Sequence, residues 1–285
     1  MLKIIKYFLQ SLIIYLFFLT GRIFGLEIGR KIFAYLFSIF GPSFKSSKII
    51  KSNLRICSYK ISNLNEKKII NSMWKNYGMT FIEYVFLNHF REKNSHVSIK
   101  DEENLLQIIN EKKPVIFISG HFANFELMSM EITKKQISLA TIYRPLNNIF
   151  LNPFMEHLRK KYVCQNQIKK GVHGVREAIR YIKKNYSIAL MVDQRVSEGD
   201  KIDLFNKPAL TTTLPAQLSI KFNLDIIPVY IKRDKDNKFQ IEFQKRIDPK
   251  NFQNKLDLSL KLNEILEKMI IRNPYQWIWT HNRWK

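Results

Sequence analysis

Short apolar segments alternate with longer amphipathic segments along most of this 285-residue chain, and this alternation limits the folds open to it. The segments 114–119 (PVIFIS), 137–143 (ISLATIY) and 187–193 (SIALMVD) are mainly apolar and of strand length. The stretches between them carry apolar residues three and four positions apart, which is the period of a helix. Strands that alternate with helices favour an α/β fold, with a central mixed sheet flanked by helices.

The remaining periodic segments extend this pattern to the C-terminus. Further strands are predicted at 225–233 and 238–246, and helices at 62–92, 124–135, 150–161, 174–184, 212–222 and 256–272. Neither an internal repeat nor a long low-complexity linker interrupts residues 42–285. We therefore predict one domain at 42–285, preceded by a separate segment at 1–41.

The N-terminal segment has the composition of a membrane contact. Residues 7–20 are uncharged and lie between Lys3 and Lys6 on one side and Arg22 on the other. This run is shorter than the roughly 20 residues that cross a hydrocarbon core. Counting residues 4–25, with the basic side chains snorkelling, brings it close to that length. No small-x-small cleavage pattern follows, so a removed signal peptide is not predicted.

A second apolar stretch, 32–41, leads into a basic run at 45–55. Two buried core helices would give the same pattern. Cations beside apolar stretches suit anionic head groups, so we predict a membrane anchor at 1–41. The sequence leaves open whether the anchor spans the membrane or lies flat on it.

The charge of the chain limits its partners more than its fold. It has 47 Lys and Arg against 24 Asp and Glu, a formal net charge of +23. That excess fits nucleic acid, an anionic membrane surface, or an acidic small molecule or carrier protein. Part of it is composition bias, because Ile, Lys, Asn and Phe are all abundant.

The two cysteines, Cys57 and Cys164, form no metal-ligand or redox spacing, which fits a reducing compartment. Cys164 is a candidate nucleophile. A structural role is favoured, because free cysteine commonly behaves as a small buried hydrophobe.

The segment SGHFANFE (119–126) places His121 and Glu126 just after a predicted strand. In open α/β sheets, active and ligand-binding sites lie at the carboxyl ends of the strands. Residues five apart on one helix are separated by about 140° around its axis, so the two side chains meet only if His121 lies in the loop. A carboxylate on one imidazole nitrogen leaves the other free to take a proton, which predicts a general base.

Other interpretations of this segment remain. A lone histidine near a strand end is often a hydrogen-bonded structural residue. Ser119 lacks the G-x-S-x-G elbow of a nucleophilic serine. The metal motif H-E-x-x-H is absent from the sequence, and no second histidine is close to His121 in it, so no metal site is predicted.

Four blocks occur in one order along the chain: GHFANFELM (120–128), YRPLNN (143–148), LMVDQR (190–195) with LFNKPALTTTLPAQLS (204–219), and NPYQWIWTHNRWK (273–285). Together they resemble the bacterial lipid A acyltransferases of the lauroyl/myristoyl group, which carry H-x4-E. That group is related to the wider membrane acyltransferases, which carry H-x4-D. With the N-terminal anchor, the resemblance covers nearly the whole chain.

The resemblance implies a glycerolphosphate-acyltransferase-like fold and an acyl transfer. The donor would be a fatty acyl thioester, on acyl carrier protein or as acyl-CoA, and the acceptor a hydroxyl of an anionic lipid A precursor. His121 would remove the hydroxyl proton and Glu126 would orient the ring. Neither an acyl-enzyme nor a cofactor is implied.

Three further residues are predicted to bind substrate. Arg144 would hold a phosphate or developing negative charge. Asp193 ends an apolar strand, where a charge without a function is costly, so it is predicted to shape the site or to contact substrate, and Gln194 follows it. His281 and Arg283 match the closing block without an assigned mechanism, and docking of the tail on the core is an equal alternative for them.

The implied location is the bacterial inner (cytoplasmic) membrane, with the catalytic domain facing the cytoplasm and no nucleic acid among the partners. One rival is a related acyltransferase that acts on a different glycolipid. Another is a non-catalytic, basic, membrane-tethered binding protein. The chain shows no RNA- or DNA-binding motif in support of the latter.

The chain also departs from the family pattern. Ala123 and Phe125 stand where the family often has Gly and Trp, and Leu204-Phe205-Asn206 stands where it has Phe-Phe-Gly. If this second loop needs a positive φ, Asn is the best choice after Gly.

Overall fold

A seven-stranded mixed sheet forms the centre of the structure, a computed structural model that describes residues 2–45, 47–61 and 65–285. The strands are β1 Val97–Lys100, β2 Ile116–Ser119, β3 Leu139–Tyr143, β4 Asn166–Lys169, β5 Ser187–Met191, β6 Asp200–Leu204, β7 Lys207–Thr211, β8 Ile226–Arg233 and β9 Phe239–Phe243. The helices are α1 Leu2–Phe24, α2 Leu26–Phe44, α3 Ser47–Cys57, α4 Glu66–Glu83, α5 Leu87–Glu92, α6 Glu102–Glu111, α7 Glu126–Lys134, α8 Asn152–Leu158, α9 Val172–Lys183, α10 Leu214–Phe222 and α11 Lys255–Arg272.

The strand order in the sheet is β1-β9-β8-β2-β5-β3-β4. Strands β8, β2, β5, β3 and β4 run parallel, whereas β9 is antiparallel to β8 and β1 is parallel to β9. The predicted mixed sheet is therefore confirmed. Strands β6 and β7 form a separate antiparallel hairpin.

Helices cover both faces of the sheet. Ile116 and Ile118 of β2 pack into a buried cluster with residues of α9, α10 and α11. Phe117, between them, points to the opposite face and packs with residues of α5, α6 and α7. Because successive side chains of a strand alternate in direction, a strand buried on both faces is apolar at every position. This explains the continuous apolar run at 114–119.

The predicted segments match the observed elements with shifts at their ends. The helix predicted at 62–92 is α4, a short 3-10 turn at Tyr84–Phe86, and α5; residues 62–64 lie outside the described residues. The helix predicted at 150–161 is α8, followed by a π-helical turn at Arg159–Val163. Strands β1, β4, β6 and β7 and helices α3 and α6 were not predicted. Four- and five-residue strands carry too little periodic pattern to be predicted from the sequence.

The turn of the β6–β7 hairpin has positive φ, which is the condition under which Asn suits the LFN loop. Its two turn residues, Phe205 and Asn206, have φ of 56° and 53°. A two-residue hairpin of this type requires φ above zero at both positions, and Asn tolerates it best after Gly. Phe205 is held there by burial and by donation of its backbone N–H to Glu267.

The two N-terminal helices pack on the domain. Gly25, at φ 79°, separates α1 from α2. Helix α2 crosses α4 so closely that a Cβ on Gly78 would lie 2.1 Å from the carbonyl oxygen of Phe33. Helix α1 is long and apolar enough to cross a membrane, judged by length and composition alone. Pro42 lies inside α2, and the division into 1–41 and 42–285 stays a prediction.

Candidate active site

His121 and Asp193 leave the sheet side by side. Strands β2 and β5 are parallel neighbours, and Ser119 is paired with Met191. His121 and Asp193 each lie two residues beyond that pair, at the carboxyl ends of their strands. The register of the sheet thus brings together two residues that are 72 positions apart.

The Asp193 carboxylate holds the His121 ring. His121 Nδ1 lies 2.7 Å from Asp193 Oδ1, and the backbone N–H of His121 donates to Oδ2 at 2.8 Å. The indole N–H of Trp277 also donates to Oδ2, at 2.9 Å. Burial alone would raise the pKa of Asp193, but His121 and these hydrogen bonds hold it well below its usual value. An ionised Asp193 favours the tautomer with the proton on Nδ1, which leaves Nε2 as the basic nitrogen.

Gln194 lies beside that basic nitrogen. Its side-chain nitrogen is 3.2 Å from His121 Nε2 and 3.4 Å from Nδ1. In the tautomer with the proton on Nδ1, the amide donates to Nε2. Gln194 therefore occupies the position from which a substrate hydroxyl would meet the ring.

Glu126 does not orient the His121 ring in this structure. It is the first residue of α7, and its Oε1 accepts hydrogen bonds from the Tyr84 hydroxyl at 2.5 Å and from Arg159 Nε at 2.8 Å. The reason is geometric: Glu126 starts a helix that turns its side chain towards the 3-10 turn after α4 and the π-helical turn after α8, while the ring of Phe125 packs 4.5 Å from that of His121. Asp193, predicted as a substrate contact, is the carboxylate on the ring.

Arg159 forms a hydrogen-bonded cluster with Glu126 and Tyr84 beside the His121–Asp193 pair. Its Nη2 lies 2.7 Å from Glu126 Oε1 and donates to the Tyr84 hydroxyl at 2.9 Å. Burial opposes its charge, but Glu126 and Tyr84 raise the pKa of Arg159, so it stays cationic. The backbone N–H of Cys164 donates to the carbonyl of Arg159, five residues back, and such π-turns are frequent at functional sites.

Arg159 and Tyr84 were not predicted from the sequence as site residues. Arg159 belongs to the run LRKKY, which has the composition of a solvated helix face. Tyr84 lies in an apolar stretch that predicts only core packing. The one available indication was that a buried Glu126 needs a cationic partner.

Arg144 follows β3 at the same edge of the sheet and is exposed. Among the residues that the structure describes, its guanidinium forms no ion pair. Burial first, and then the charge of Arg144, lowers the pKa of Lys170. Arg144 and Lys170 therefore place positive charge at the carboxyl ends of β3 and β4. Arg144 forms no hydrogen bond or ion pair with His121 or Asp193, all three of which the structure describes.

The C-terminal segment 273–285 packs over the loop 120–125, which carries His121 and is called the catalytic loop below. The backbone N–H of Ala123 donates to the Gln276 carbonyl at 3.3 Å, and Phe122 forms an isolated β-bridge with Trp277. The His281 ring centre is 6.4 Å from that of His121. Burial lowers the pKa of His281 to about 4, so this second histidine is neutral near pH 7.

Arg283, in the same C-terminal segment, is fully buried. It donates to the Leu210 carbonyl and to Thr211 Oγ1. Burial lowers its pKa to about 10, so it remains charged at neutral pH. These contacts indicate that Arg283 docks the C-terminus on the core, one of the two roles that the sequence left open.

Ala123 takes an unusual backbone conformation. Its φ is 44°, in the left-handed region, at the position where the resembling family often has Gly. Its carbonyl accepts a hydrogen bond from Thr80 Oγ1 at 2.9 Å. For a residue with a Cβ this conformation costs about 1–2 kcal/mol, which the surrounding contacts offset.

The two cysteines lie apart from this chemistry. Cys57 and Cys164 are buried, and burial raises the pKa of both thiols. Cys164 donates to the Leu139 carbonyl at 3.2 Å. Both are therefore packing residues, the role that the sequence favoured for Cys164.

Comparison with known proteins gives one consistent group. A family model described as bacterial lipid A biosynthesis acyltransferase matches residues 1–285. A lipid A biosynthesis acyltransferase of Haemophilus influenzae is 22% identical over 256 residues, covering 89% of this chain and 82% of that protein. The lipid A biosynthesis lauroyltransferase of Escherichia coli is 21% identical over 250 residues, covering 85% and 79%.

One solved structure also aligns with the chain. It is the 1-acyl-sn-glycerophosphate acyltransferase PlsC from Thermotoga maritima, with a TM-score of 0.43 and 14% identity, covering 87% of this chain and 99% of that one.

Proposed function

The chain belongs to the bacterial lipid A biosynthesis acyltransferase family, and on that premise we propose that it acylates a hydroxyl of a lipid A precursor. It is an acyltransferase, as the resemblance of its four blocks implied. The donor that we propose is a fatty acyl thioester on acyl carrier protein, with acyl-CoA as the alternative. The observation that carries the proposal is the 2.7 Å contact of His121 Nδ1 with the buried Asp193.

The reaction needs a base and a path for one proton. Nε2 of His121 takes the proton of the acceptor hydroxyl while that oxygen attacks the thioester carbonyl. The new C–O bond forms, the C–S bond breaks, and the imidazolium returns its proton to the leaving thiolate. Asp193 stabilises the imidazolium between these steps and keeps the tautomer. Gln194 moves from Nε2 to admit the hydroxyl.

Glu126 has a positioning role in this proposal. Through Tyr84 and Arg159 it ties the start of α7 to the turns that follow α4 and α8. The loop that carries His121 ends at this helix start, so the cluster restrains the loop without contacting the ring. This replaces the mechanism in which Glu126 and His121 form the dyad.

The acceptor and the acyl carrier protein are both anionic, which fits the positive charge of the chain. We propose that Arg144 and Lys170, at the strand ends, meet phosphate groups of the acceptor. We also propose that the enzyme works at the bacterial inner membrane with its catalytic domain in the cytoplasm.

The test is transfer of a labelled acyl group from acyl carrier protein to a lipid A precursor in membranes. We expect His121→Ala to lose activity by several orders of magnitude and Asp193→Asn to lose on the order of 10³–10⁴-fold, since the amide favours the wrong tautomer. Glu126→Gln should lose less in kcat, because the ring keeps its carboxylate. Asp200→Asn, a half-exposed aspartate paired with Lys255, is the matched control.

Each variant is checked for thermal stability, so that loss of fold is separated from loss of chemistry. If Asp193→Asn is folded and fully active while Glu126→Gln is inactive, the carboxylate that assists His121 is Glu126 and not Asp193. If the wild type acylates another glycolipid and not the lipid A precursor, the proposed role of His121 and Asp193 stands and the proposed acceptor is wrong.

A further inference from the structure

Helix α1 is fastened to the domain near both of its ends. Near its start, Asn148 Nδ2 donates to the Tyr7 carbonyl at 2.8 Å. Near its end, the Arg22 guanidinium donates to the Val85 carbonyl at 3.1 Å. At 1.5 Å per residue these two points are about 22 Å apart along the helix. The helix therefore lies along the domain surface instead of projecting from it.

The side of α1 that faces away from the domain is mainly apolar. Its exposed side chains recur three and four positions apart, which places them on one face: Leu9, Leu12, Ile13, Leu16, Leu19 and Ile23. The opposite side packs inwards through Ser11, Phe18 and Gly21. Monomeric soluble proteins rarely expose a contiguous apolar face of this kind unless it meets a partner.

A loop of the catalytic domain extends this surface. The ring of Phe150 lies 5.5 Å from that of Phe8, and the Tyr15 hydroxyl donates to the Phe150 carbonyl at 2.8 Å. Leu146 and Ile149, in the same loop, are also exposed. We define the apolar face as the outward residues of α1 together with Leu146, Ile149 and Phe150.

A helix fastened in this way cannot cross a bilayer alone. The loop 146–151 and the segment that contains Val85 and Asn88 would enter the hydrocarbon with it. The loop has irregular backbone and carries the exposed Asn147, and hydrocarbon offers no hydrogen-bond partner to such polar groups. Arg22, which also lies 3.3 Å from Asn88 Oδ1, would be carried in as well. Both features belong at an interface.

We propose that α1 lies flat in one leaflet of an anionic bilayer, with the apolar face inserted and the catalytic domain on the same side. The proposal rests on the membrane association proposed above and specifies its form. The exposed cations Lys3 and Lys6, in the first two turns of α1, lie beside the apolar face, where anionic head groups would meet them. Lipid is therefore the occupant that both the apolar surface and the charge favour.

This arrangement places the site close to the lipid. Phe18 of α1 packs 4.9 Å from Phe81 of α4, and the neighbouring Thr80 donates to the Ala123 carbonyl. Ala123 is two residues from His121. The inserted helix is thus two side-chain contacts from the catalytic loop, and an acyl chain of the acceptor can stay in the leaflet while its hydroxyl reaches Nε2.

The test measures depth in the membrane. Single cysteines replace Ile5, Leu9, Leu12, Leu16 and Ile23 in the full chain, each labelled with a small fluorophore and quenched by nitroxide lipids in anionic vesicles. The two native thiols are buried and leave little background. We expect one common, shallow depth for all five positions, roughly 5–10 Å below the head groups. Ile149→Cys should be quenched similarly, and Leu256→Cys, an exposed leucine on α11, should not be quenched.

Each other outcome overturns the proposal. A depth that is greatest near Leu12, about 15 Å, and shallow at both ends would mean that α1 crosses the bilayer. Quenching on α1 without quenching at Ile149 would remove the loop from the face. No quenching at any position would mean that lipid does not cover the face, and cross-linking between α1 cysteines would then identify a second copy. None of these results depends on acyl transfer, so a failed activity assay remains a separate result.

Discussion

Three hydrogen bonds to one carboxylate organise the site at the residue scale. Asp193 accepts two from His121 and one from the Trp277 indole. The Trp277 bond fills Oδ2 and leaves Oδ1 to the ring, so it holds the carboxylate in the orientation that the ring needs. In the proposed mechanism Trp277 acts through Asp193 and is therefore a positioning residue.

We expect Trp277→Phe to lower kcat about 10–100-fold, because one hydrogen bond to a charged group contributes about 1.5–3 kcal/mol. Trp279→Phe is the control, since Trp279 is equally buried and donates to the Pro274 carbonyl, away from the pair. Acyl-transfer rates and thermal unfolding of the two variants make the comparison. Equal losses of activity in both would contradict a specific role for the Trp277 N–H.

At the scale of helices and strands, the buried carboxylate of Glu83 links α2, α4, β8 and the catalytic loop. Glu83 of α4 accepts from Arg30 of α2 at 2.7 Å, from Arg233 of β8, and from Asn124 of the catalytic loop at 2.9 Å. Burial would raise its pKa, but the two arginines hold it below the usual value. The N-terminal helix pair is therefore linked to the loop that carries His121 through one ionised group.

The close contact of α2 with α4 predicts that a larger residue at Gly78 destabilises the fold. A Cβ at Gly78 would lie 2.1 Å from the Phe33 backbone oxygen, whereas a Cβ at Gly29 would meet its nearest heavy atom, in Ile82, at 3.4 Å. Gly78→Ala should therefore destabilise the fold by at least roughly 1–3 kcal/mol. Gly29→Ala should be neutral or stabilise by up to about 1 kcal/mol, from helix propensity. Thermal unfolding in detergent measures both, and a stable Gly78→Ala would show that the helices can separate at little cost.

The stability of the whole molecule should depend on pH through buried histidines. His96 packs 4.9 Å from the Phe90 ring, and burial lowers its pKa to about 4. The unfolded chain, with a histidine pKa near 6.5, takes up this proton first as the pH falls. Stability from His96 is thus fully present above pH 6.5 and is lost between pH 6.5 and about 4.

We expect His96→Gln to lose less stability than wild type over that pH window. The measurement is the midpoint of thermal unfolding at several values from pH 7.5 to 4.5. The difference between the two proteins isolates His96, because His281, whose pKa is also about 4, is present in both. A difference that stays constant with pH would mean that His96 does not titrate between the folded and unfolded states in this range.

The sequence by itself determined the parts of this protein that depend on local periodicity. The apolar runs predicted β2, β3, β5 and β8, because a buried strand is apolar at each position, and the three- and four-residue spacing predicted most of the covering helices. The position of His121 after β2, the positive φ at Asn206 and the apolar character of α1 are local properties of the same kind.

Only the tertiary structure decided which side chains meet. The contact of His121 with Asp193 requires that β2 pair with β5, and the contact of Glu126 with Arg159 requires the π-turn after α8 to reach the start of α7. Trp277 meets Asp193 because the C-terminus folds back over the catalytic loop. These contacts join residues between 33 and 84 positions apart. Strand order and helix docking are settled by burial of the whole core, which the spacing within any one segment does not encode.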